Sequence, residues 1–283
     1  FVSCRGMLEN RKLMLGICKK YKPSIIIHLA AQAGVRYSIK NPKIYFDSNM
    51  LGTFNVLEIS REIKIQHLLI ASTSSVYGSN TNVPFDENQK SDTQMSFYAA
   101  TKKANEVMSH SYAHIYNLPT TVFRFFTVYG PWGRPDMALF KFTKSILEDK
   151  EIEVYNFGDM KRDFTYVDDL VKSIKLLINK VPDLKKINIG KKEYDSISNV
   201  APWRVVNIGN SHPTNLLDYI DEIEKSLGIK AKKKLVGMQK GDVKETSSNV
   251  HLLEKLTGFK PNTSIKVGIK SFVEWYKNYY KIN

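Results

Sequence analysis

Two kinds of apolar pattern alternate through the first half of the chain, and they predict an α/β fold. Glu9–Tyr21 has apolar residues at helical spacing and ends before Pro23. A short β-branched run follows at Ser24–Leu29, which is typical of a strand buried on both faces of a sheet. The same alternation then predicts a helix at Tyr45–Glu62, a strand at His67–Ala71, a helix at Phe97–Tyr116 and a strand at Thr120–Phe125. Helices that alternate with buried strands indicate a doubly wound parallel sheet.

The second half has a different pattern, with fewer strands and longer amphipathic stretches. It predicts a helix at Ala138–Glu148, strands at Glu151–Tyr155 and Trp203–Ile208, and helices at Leu216–Leu227 and Ile265–Tyr280. We therefore expect two parts, residues 1–135 and residues 136–283, with segments of the second part returning to the first.

The beginning of the chain lacks a feature that this fold normally has. A doubly wound nucleotide-binding domain opens with a strand, a glycine-rich turn that binds the pyrophosphate, and a helix. No such glycine pattern precedes Ile25. Because a βαβ unit takes roughly 30 residues or more, we expect that about that many are missing before Phe1 and that the sheet lacks its first βαβ segment.

Composition narrows the classes of protein. The formal net charge is +14, but the lysines are scattered over stretches such as Lys172–Lys180 and Lys225–Lys234, which we interpret as helical. We therefore expect a solvated surface and no nucleic-acid partner. The sequence contains no apolar stretch long enough to span a bilayer and no metal-ligand pattern, and its first residues lead us to expect no signal peptide. Its two cysteines suit a reducing compartment, so we expect a cytoplasmic protein with no membrane association and no metal.

Tyr98 and Lys102 are the main candidates for chemistry. They stand four residues apart in a predicted helix, so both side chains lie on one face. A phenol titrates at about 10, too high for a base at neutral pH, and a nearby ammonium group lowers that pKa. The pair is therefore a candidate acid/base unit for an alcohol. The alternative is a core tyrosine beside a surface lysine.

The order of motifs around this pair resembles the active site of extended short-chain dehydrogenases. A hydroxyl-rich turn, Thr73–Gly78, precedes Tyr98, and Thr73 stands 25 positions before it, similar to the spacing in the 4-epimerases of that superfamily. Three further segments resemble, in order, the turn that contacts the cofactor, the segment beside the nicotinamide and the signature of the nucleotide-sugar lobe: His28–Ala31, Arg124–Pro131 and Arg162–Asp169. The resemblance implies a Rossmann-type NAD-binding domain at 1–135 and a smaller nucleotide-sugar-binding lobe within 136–283.

The substrate class is indicated by two further segments. Relatives that dehydrate or decarboxylate the sugar have an acid just before the Val-Tyr-Gly motif, where this chain has Ser74 and Ser75. Gln32–Ser38, together with Thr127 and Gly130–Met137, resembles UDP-glucuronate 4-epimerases. Arginine suits a carboxylate because its planar fork makes two parallel hydrogen bonds. The alternatives are a UDP-glucose/UDP-galactose 4-epimerase, another sugar-nucleotide epimerase or dehydratase, and an inactive truncated fragment.

The resemblance assigns roles to individual residues. The expected catalytic residues are Thr73 (or its neighbours Ser74 or Ser75), Tyr98 and Lys102. The residues expected to bind NAD are Leu29, Ala30, Ala31, Asn49, Ser72, Tyr98, Lys102 and Phe125. The residues expected to bind the UDP-sugar are Arg36, Ser74, Thr127, Arg134, Arg162 and Asp242, with Arg36 and Arg134 on the carboxylate, Arg162 on the diphosphate and Asp242 on the uridine ribose. Either arginine could instead form a structural ion pair, and Asp242 could be a turn residue. A homodimer through the helices at Tyr45–Glu62 and Phe97–Tyr116 is also expected by resemblance.

Overall fold

The computed structural model describes residues 1–184, 195–239 and 241–282. The helices are α1 (Arg11–Tyr21), α2 (Val35–Lys40), α3 (Pro42–Tyr45), α4 (Gly52–Glu62), α5 (Phe97–Tyr116), α6 (Ala138–Leu147), α7 (Val167–Leu177), α8 (Leu216–Leu227), α9 (His251–Thr257) and α10 (Ile265–Tyr280). The strands are β1 (Ile25–His28), β2 (His67–Thr73), β3 (Thr120–Phe125), β4 (Thr127–Tyr129), β5 (Glu151–Val154), β6 (Lys161–Tyr166), β7 (Trp203–Ile208), β8 (Pro213–Asn215) and β9 (Lys232–Leu235).

Four parallel strands in the order β1-β2-β3-β7 form the main sheet. Every residue of β2 is buried, because helices cover both faces of the sheet. Leu170 of α7 and Leu253 of α9 pack on one face, and Val56 of α4 and Met108 of α5 pack on the other. Two covered faces explain why β2 and β3 have continuous apolar runs instead of alternation. The expectation that the strand at Ser24–Leu29 is buried on both faces is wrong, because β1 stands at the end of the strand order and its Ile27 is exposed. The carboxyl ends of the strands lie along one edge, which carries the candidate site.

The α/β fold predicted from the sequence is confirmed. The ends of five elements coincide with their predictions: α5, β3, β7, α8 and α10. The strand β7 comes from the second half of the chain and pairs with β3 along its whole length, from Thr120–Trp203 to Phe125–Ile208. Of the helices in the described part of the chain, none is both long enough and apolar enough to cross a membrane.

The helix predicted at Tyr45–Glu62 is interrupted. It begins as α3, passes through a π-helical segment at Phe46–Leu51 and continues as α4. π-Helical turns widen the backbone and are frequent at functional sites. Asn49 lies inside this segment and is fully buried, which places its side chain beside the turn that follows β1.

The second half forms a smaller lobe around an aromatic core. β4 pairs with β6, β6 pairs with β8, and β5 pairs with β9. The rings of Phe164 on β6 and Tyr219 on α8 stack with their centroids 3.8 Å apart. The interpretation of Lys225–Lys234 as helical is wrong, because α8 ends at Leu227 and the chain turns at Gly228 into β9. All four residues of β9 are exposed, so no apolar pattern distinguishes this strand from a polar helix face.

Candidate active site

Thr73 lies at the carboxyl end of β2, where the chain turns into a 3₁₀ segment at Ser74–Tyr77. Its hydroxyl accepts a hydrogen bond from the Ser75 backbone N–H at 3.2 Å and donates to the Ser75 hydroxyl at 3.3 Å. The turn closes at Gly78, which has a φ of +61°. A Cβ atom at this position would collide with the Thr93 carbonyl. This turn fixes Thr73 at the sheet edge and leaves Ser74 half-buried beside it.

Tyr98 stands in the first turn of α5, directly above this edge. The helix begins after Ser96, whose hydroxyl accepts a hydrogen bond from the Ala99 N–H at 3.1 Å. Burial raises the pKa of Tyr98, while a hydrogen bond with Thr73 and the positive charge of Arg134 lower it. Of the three candidate hydroxyls in the turn, Thr73 is therefore the one that interacts with the phenol.

Lys102 lies one helical turn beyond Tyr98 and is 2% exposed. Burial lowers the pKa of Lys102 to about 8, and the negative charge of Glu106 opposes that shift. The sequence led us to expect that Lys102 would lower the pKa of Tyr98. In the structure the pKa of Tyr98 is raised by burial, and the opposing charge comes from Arg134. Within the described ranges the Lys102 ammonium makes no hydrogen bond or ion pair, so its donors are free for a ligand.

Tyr45 connects the phenol to the loop after β1. Its side chain is fully buried, and its ring meets that of Tyr98 edge to face with centroids 6.1 Å apart. The Tyr45 hydroxyl donates to the carbonyls of Ala33 and Gly34, at 3.0 Å and 2.6 Å. The loop after β1 and the catalytic helix are thus held in fixed relation by one side chain.

The turn that follows β1 is suited to bind a dinucleotide. Leu29, Ala30 and Ala31 are exposed at the same sheet edge. The Asn49 side chain binds the backbone of this turn. Its amide oxygen accepts a hydrogen bond from the Gln32 N–H at 2.8 Å, and its amide nitrogen donates one to the Gln32 carbonyl at 3.0 Å. The exposed turn and the free donors of Lys102 fit the ribose and nicotinamide end of a dinucleotide.

Of the residues expected to bind the cofactor, two are buried and a third is half-buried. Asn49 is fully buried, and its amide nitrogen also donates to Thr101 at 3.0 Å, so it supports the turn from inside. The Ser72 hydroxyl is buried and donates to the Glu106 carboxylate at 2.7 Å. Phe125 is half-buried at the end of β3, with its ring stacked on Phe123. Direct contacts of these side chains with a dinucleotide stay predictions.

Two arginines and a carboxylate form a second cluster. Arg162 on β6 donates to the carbonyls of Val243 at 2.6 Å and Lys244 at 3.0 Å. Burial lowers the pKa of Arg162, Asp242 raises it and Arg36 lowers it again, which places both charged groups close to this guanidinium. Two guanidinium groups near one carboxylate leave a net positive charge that suits a diphosphate.

The two arginines that the sequence grouped on a carboxylate have different ion-pair partners. Arg36 pairs with Asp242 at 3.3 Å, and its guanidinium lies 4.6 Å from the centre of the Tyr155 ring. Arg134 pairs with Asp136 at 3.3 Å and acts electrostatically on Tyr98. Of these two arginines, Arg134 is the one whose charge acts on Tyr98. It lines one small cavity together with Thr127, which begins β4.

Four residues of the site were given no role in the sequence interpretation: Tyr45, Glu106, Arg124 and Tyr155. A signal for Glu106 was present, because it stands four residues after Lys102 and so shares its helical face. The positions of the other three depend on contacts between distant segments, which no local pattern contains.

The chain is similar to known proteins in both sequence and structure. A family model described as GDP-mannose 4,6 dehydratase matches residues 1–272. Protein CapI of Staphylococcus aureus is 52% identical over 274 residues, which cover 97% of this chain and 82% of the relative. A probable UDP-glucuronate 4-epimerase of Rhizobium meliloti strain 1021 is 50% identical over 281 residues, which cover 99% of this chain and 82% of the relative. The crystal structure of UDP-glucuronic acid 4-epimerase from Bacillus cereus, in complex with UDP-glucuronic acid and NAD, superposes with a TM-score of 0.84 at 30% identity, covering 98% of this chain and 81% of that one.

Proposed function

We infer that this chain, which belongs to the GDP-mannose 4,6 dehydratase family, is an NAD-dependent UDP-sugar 4-epimerase and that it converts UDP-glucuronate to UDP-galacturonate through a 4-keto intermediate. The observation that carries this proposal is that both the Thr73 hydroxyl and the Arg134 charge act on the Tyr98 phenol, at the carboxyl edge of the parallel sheet. A proton-transfer pair beside an arginine is the set of groups that a uronate with a reacting hydroxyl requires.

The cofactor is held, in this proposal, by the domain of residues 1–135. The exposed backbone of Leu29–Ala31 receives one side of NAD, and the Lys102 ammonium donates to the nicotinamide ribose. When bound, NAD supplies the hydride acceptor for oxidation at C4 and the hydride donor for the reduction that follows. Because NAD is regenerated in each turnover, it acts as a bound cofactor and no net redox change occurs.

Tyr98 and Thr73 move the proton. The phenolate form of Tyr98 takes the proton of the sugar 4-hydroxyl as hydride leaves C4, and Thr73 shares the hydrogen bond. Burial favours the protonated phenol, so the proton is held ready for return to the 4-oxygen. Arg134 supplies the positive charge that stabilises the phenolate before the proton is taken and after it is returned.

Arg134 also recognises the carboxylate of the substrate. Oxidation at C4 of a uronic acid gives a β-keto acid, which loses CO₂ when the carboxylate bond aligns with the carbonyl π system. We propose that the Arg134 fork, with Thr127 beside it, holds the carboxylate out of that alignment. The 4-keto sugar then turns and accepts hydride on its other face.

The remaining contacts position the nucleotide. In the lobe within residues 136–283, Arg162 binds the diphosphate and Asp242 the uridine ribose, while Arg36 contributes to the diphosphate side and not to the carboxylate. Ser74 faces the sugar from the turn after β2. The two residues before Val76 in that turn are serines, so the turn offers no acid to protonate a departing hydroxide, and this favours epimerisation over dehydration.

We also propose an oligomeric state and a cellular location for this protein. Large apolar side chains are exposed on the helices that the resemblance assigns to a dimer: Phe46, Leu51, Phe54, Val107 and Ile115. Exposed apolar patches of this kind mark protein interfaces, and we propose a homodimer. Both cysteines, Cys4 and Cys18, are free thiols, which supports a reducing, cytoplasmic location.

Product analysis tests the proposed function. The protein is incubated with NAD⁺ and either UDP-glucuronate or UDP-glucose, and the sugar nucleotides are separated by chromatography. We expect UDP-galacturonate from the first substrate and no conversion of the second. Interconversion of UDP-glucose and UDP-galactose alone would mean that the role given to Arg134 is wrong while the fold and the proton-transfer pair stand.

A further inference from the structure

Glu106 lies on α5 one turn beyond Lys102 and is 1% exposed. Three residues bind its carboxylate: Arg124 through Nε at 3.0 Å and Nη2 at 2.9 Å, Ser72 through its hydroxyl at 2.7 Å, and Lys103 through its ammonium at 3.2 Å. Because Ser72 belongs to β2 and Arg124 to β3, this carboxylate connects the helix to both strands at the catalytic edge of the sheet.

We propose that Glu106 is a positioning residue that keeps the Lys102 ammonium group charged, and that Arg124 in turn keeps Glu106 ionised. Tyr98, Lys102 and Glu106 follow one another at intervals of four residues, so they form a continuous line on one face of α5. The line ends at the guanidinium of Arg124. The inference rests on the proposed function, because the charge of Lys102 matters only if Tyr98 and NAD do the chemistry described above.

Burial explains why Lys102 needs this support. An ammonium group taken out of water favours its neutral form, and burial lowers the pKa of Lys102 to about 8 despite the opposing charge of Glu106. Without that carboxylate, Lys102 would lose its proton within the physiological range. A neutral amine would have one N–H donor fewer and no charge to offer to the nicotinamide ribose.

Burial also disfavours the charged form of Glu106, which is the ionised carboxylate. Burial raises the pKa of its carboxyl group, but the charge and hydrogen bonds of Arg124, followed by Lys103 and Ser72, bring the pKa below its ordinary value. Arg124 is itself buried, lies 4.7 Å from the centre of the Tyr77 ring and donates to Ser91 and to the Glu87 carbonyl. The guanidinium is thereby fixed where it can bind Glu106 with two parallel hydrogen bonds.

The other groups that face Lys102 do not replace Glu106. His28 on β1 is buried, and burial together with the charge of Lys102 lowers the pKa of His28 to about 3, so its imidazole is neutral. Its Nε2 is engaged with the Thr53 hydroxyl at 2.9 Å. Tyr98 is a protonated phenol at rest, since burial raises its pKa. Among the described residues, Glu106 is the negative charge that acts on Lys102.

The test is a titration of Lys102 that requires no substrate. Protein labelled with ¹³C at the lysine ε-carbon is followed by NMR across pH, and the Lys102 signal is assigned with the variant Lys102→Arg. We expect a midpoint at about pH 8 in the parent protein. In Glu106→Gln we expect a midpoint lower by about one pH unit or more, that is, roughly tenfold weaker proton binding. Glu106→Asp, which keeps the charge, should restore the midpoint at least in part.

A double variant and a control separate this role from a merely structural one. Glu106→Gln alone leaves the Arg124 charge buried without a partner, which can prevent folding. Glu106→Gln with Arg124→Gln removes both charges and should lower the Lys102 midpoint as the single variant does. Glu58→Gln removes the α4 carboxylate that binds Arg61 and Tyr112 and should leave the midpoint unchanged. A parent midpoint retained in the double variant would overturn the inference. If the variants shift the Lys102 midpoint but the parent protein converts no UDP-sugar, the proposed function alone is overturned.

Discussion

Arg36 and Asp242, which are 206 positions apart in the sequence, form an ion pair with 3.3 Å between Nη2 and Oδ2. Arg36 stands on α2, which follows the first strand of the main sheet, and Asp242 belongs to the segment whose carbonyls bind Arg162. The pair joins the two halves of the chain at the cluster proposed for the diphosphate. It lies apart from the contacts of Tyr98, whose charged neighbour is Arg134.

Because Asp242 is not among the groups that act on Tyr98, replacing it should weaken binding of the UDP-sugar without slowing the chemical step. Asp242→Asn should raise KM for the UDP-sugar about tenfold, because a charge-assisted hydrogen bond contributes roughly 1.5–3 kcal/mol. The kcat should change little, since Asp242 does not approach the reacting hydroxyl. Steady-state kinetics measure both, with Asp221→Asn, which pairs with Lys233 on the surface, as the control. An equal fall in kcat and kcat/KM would show that Asp242 acts in the transition state.

The proton-transfer pair predicts a steep loss of turnover. Tyr98→Phe keeps the edge-to-face packing against Tyr45 but removes the acidic hydroxyl, so kcat should fall by about 10³-fold. Thr73→Val removes one hydrogen bond and should lower kcat by about tenfold. Circular dichroism and NAD binding serve as controls and should stay near the parent values. Substantial activity in Tyr98→Phe would identify another group as the base.

The carboxylate contact predicts a change of product. Arg134→Met should lower kcat/KM for UDP-glucuronate by about 10- to 100-fold, and part of the turned-over substrate should appear as a decarboxylated UDP-pentose. Arg134→Lys keeps the charge but loses the planar fork, so it should also release CO₂. Lys141→Met, an exposed position on α6, is the matched control. Mass spectrometry of the nucleotide products decides: if Arg134→Met yields only UDP-galacturonate, the clamp is not at Arg134.

The exposed apolar side chains predict the oligomeric state. Phe54 on α4 is 42% exposed and Val107 on α5 is 60% exposed. A charge at either position in a dimer interface is left without water or a partner, so Phe54→Glu and Val107→Glu should sediment as monomers while the parent sediments as a dimer. Tyr279→Glu, at an exposed aromatic on α10, should remain dimeric. A parent protein of monomer mass would remove the proposal.

The parts of the site that could be predicted from the sequence are those encoded locally. The helix at Phe97–Tyr116 has regular periodicity and a serine N-cap, so the relation of Tyr98 to Lys102 followed from spacing alone. The π-helical segment around Asn49 was not predictable, because it depends on packing against the turn at Gln32.

Other parts of the site could not be predicted because they depend on the assembled fold. Arg36 and Arg134 looked equivalent in sequence, yet Arg36 pairs with Asp242, 206 positions away, whereas Arg134 pairs with the nearby Asp136. The expected effect of Lys102 on Tyr98 also failed, because burial, which no local pattern reports, dominates the pKa of the phenol. Charge balance in a buried site is a property of the assembled fold.

The most direct test of the central claim follows the hydrogen at C4. UDP-glucuronate carrying deuterium at C4 is incubated with the protein and NAD⁺, and the product is analysed by NMR and mass spectrometry while absorbance reports NADH. The account predicts UDP-galacturonate that retains deuterium at C4, with no net NADH, because the same hydride leaves and returns. Loss of the deuterium to solvent, or NADH that accumulates with product, would contradict it.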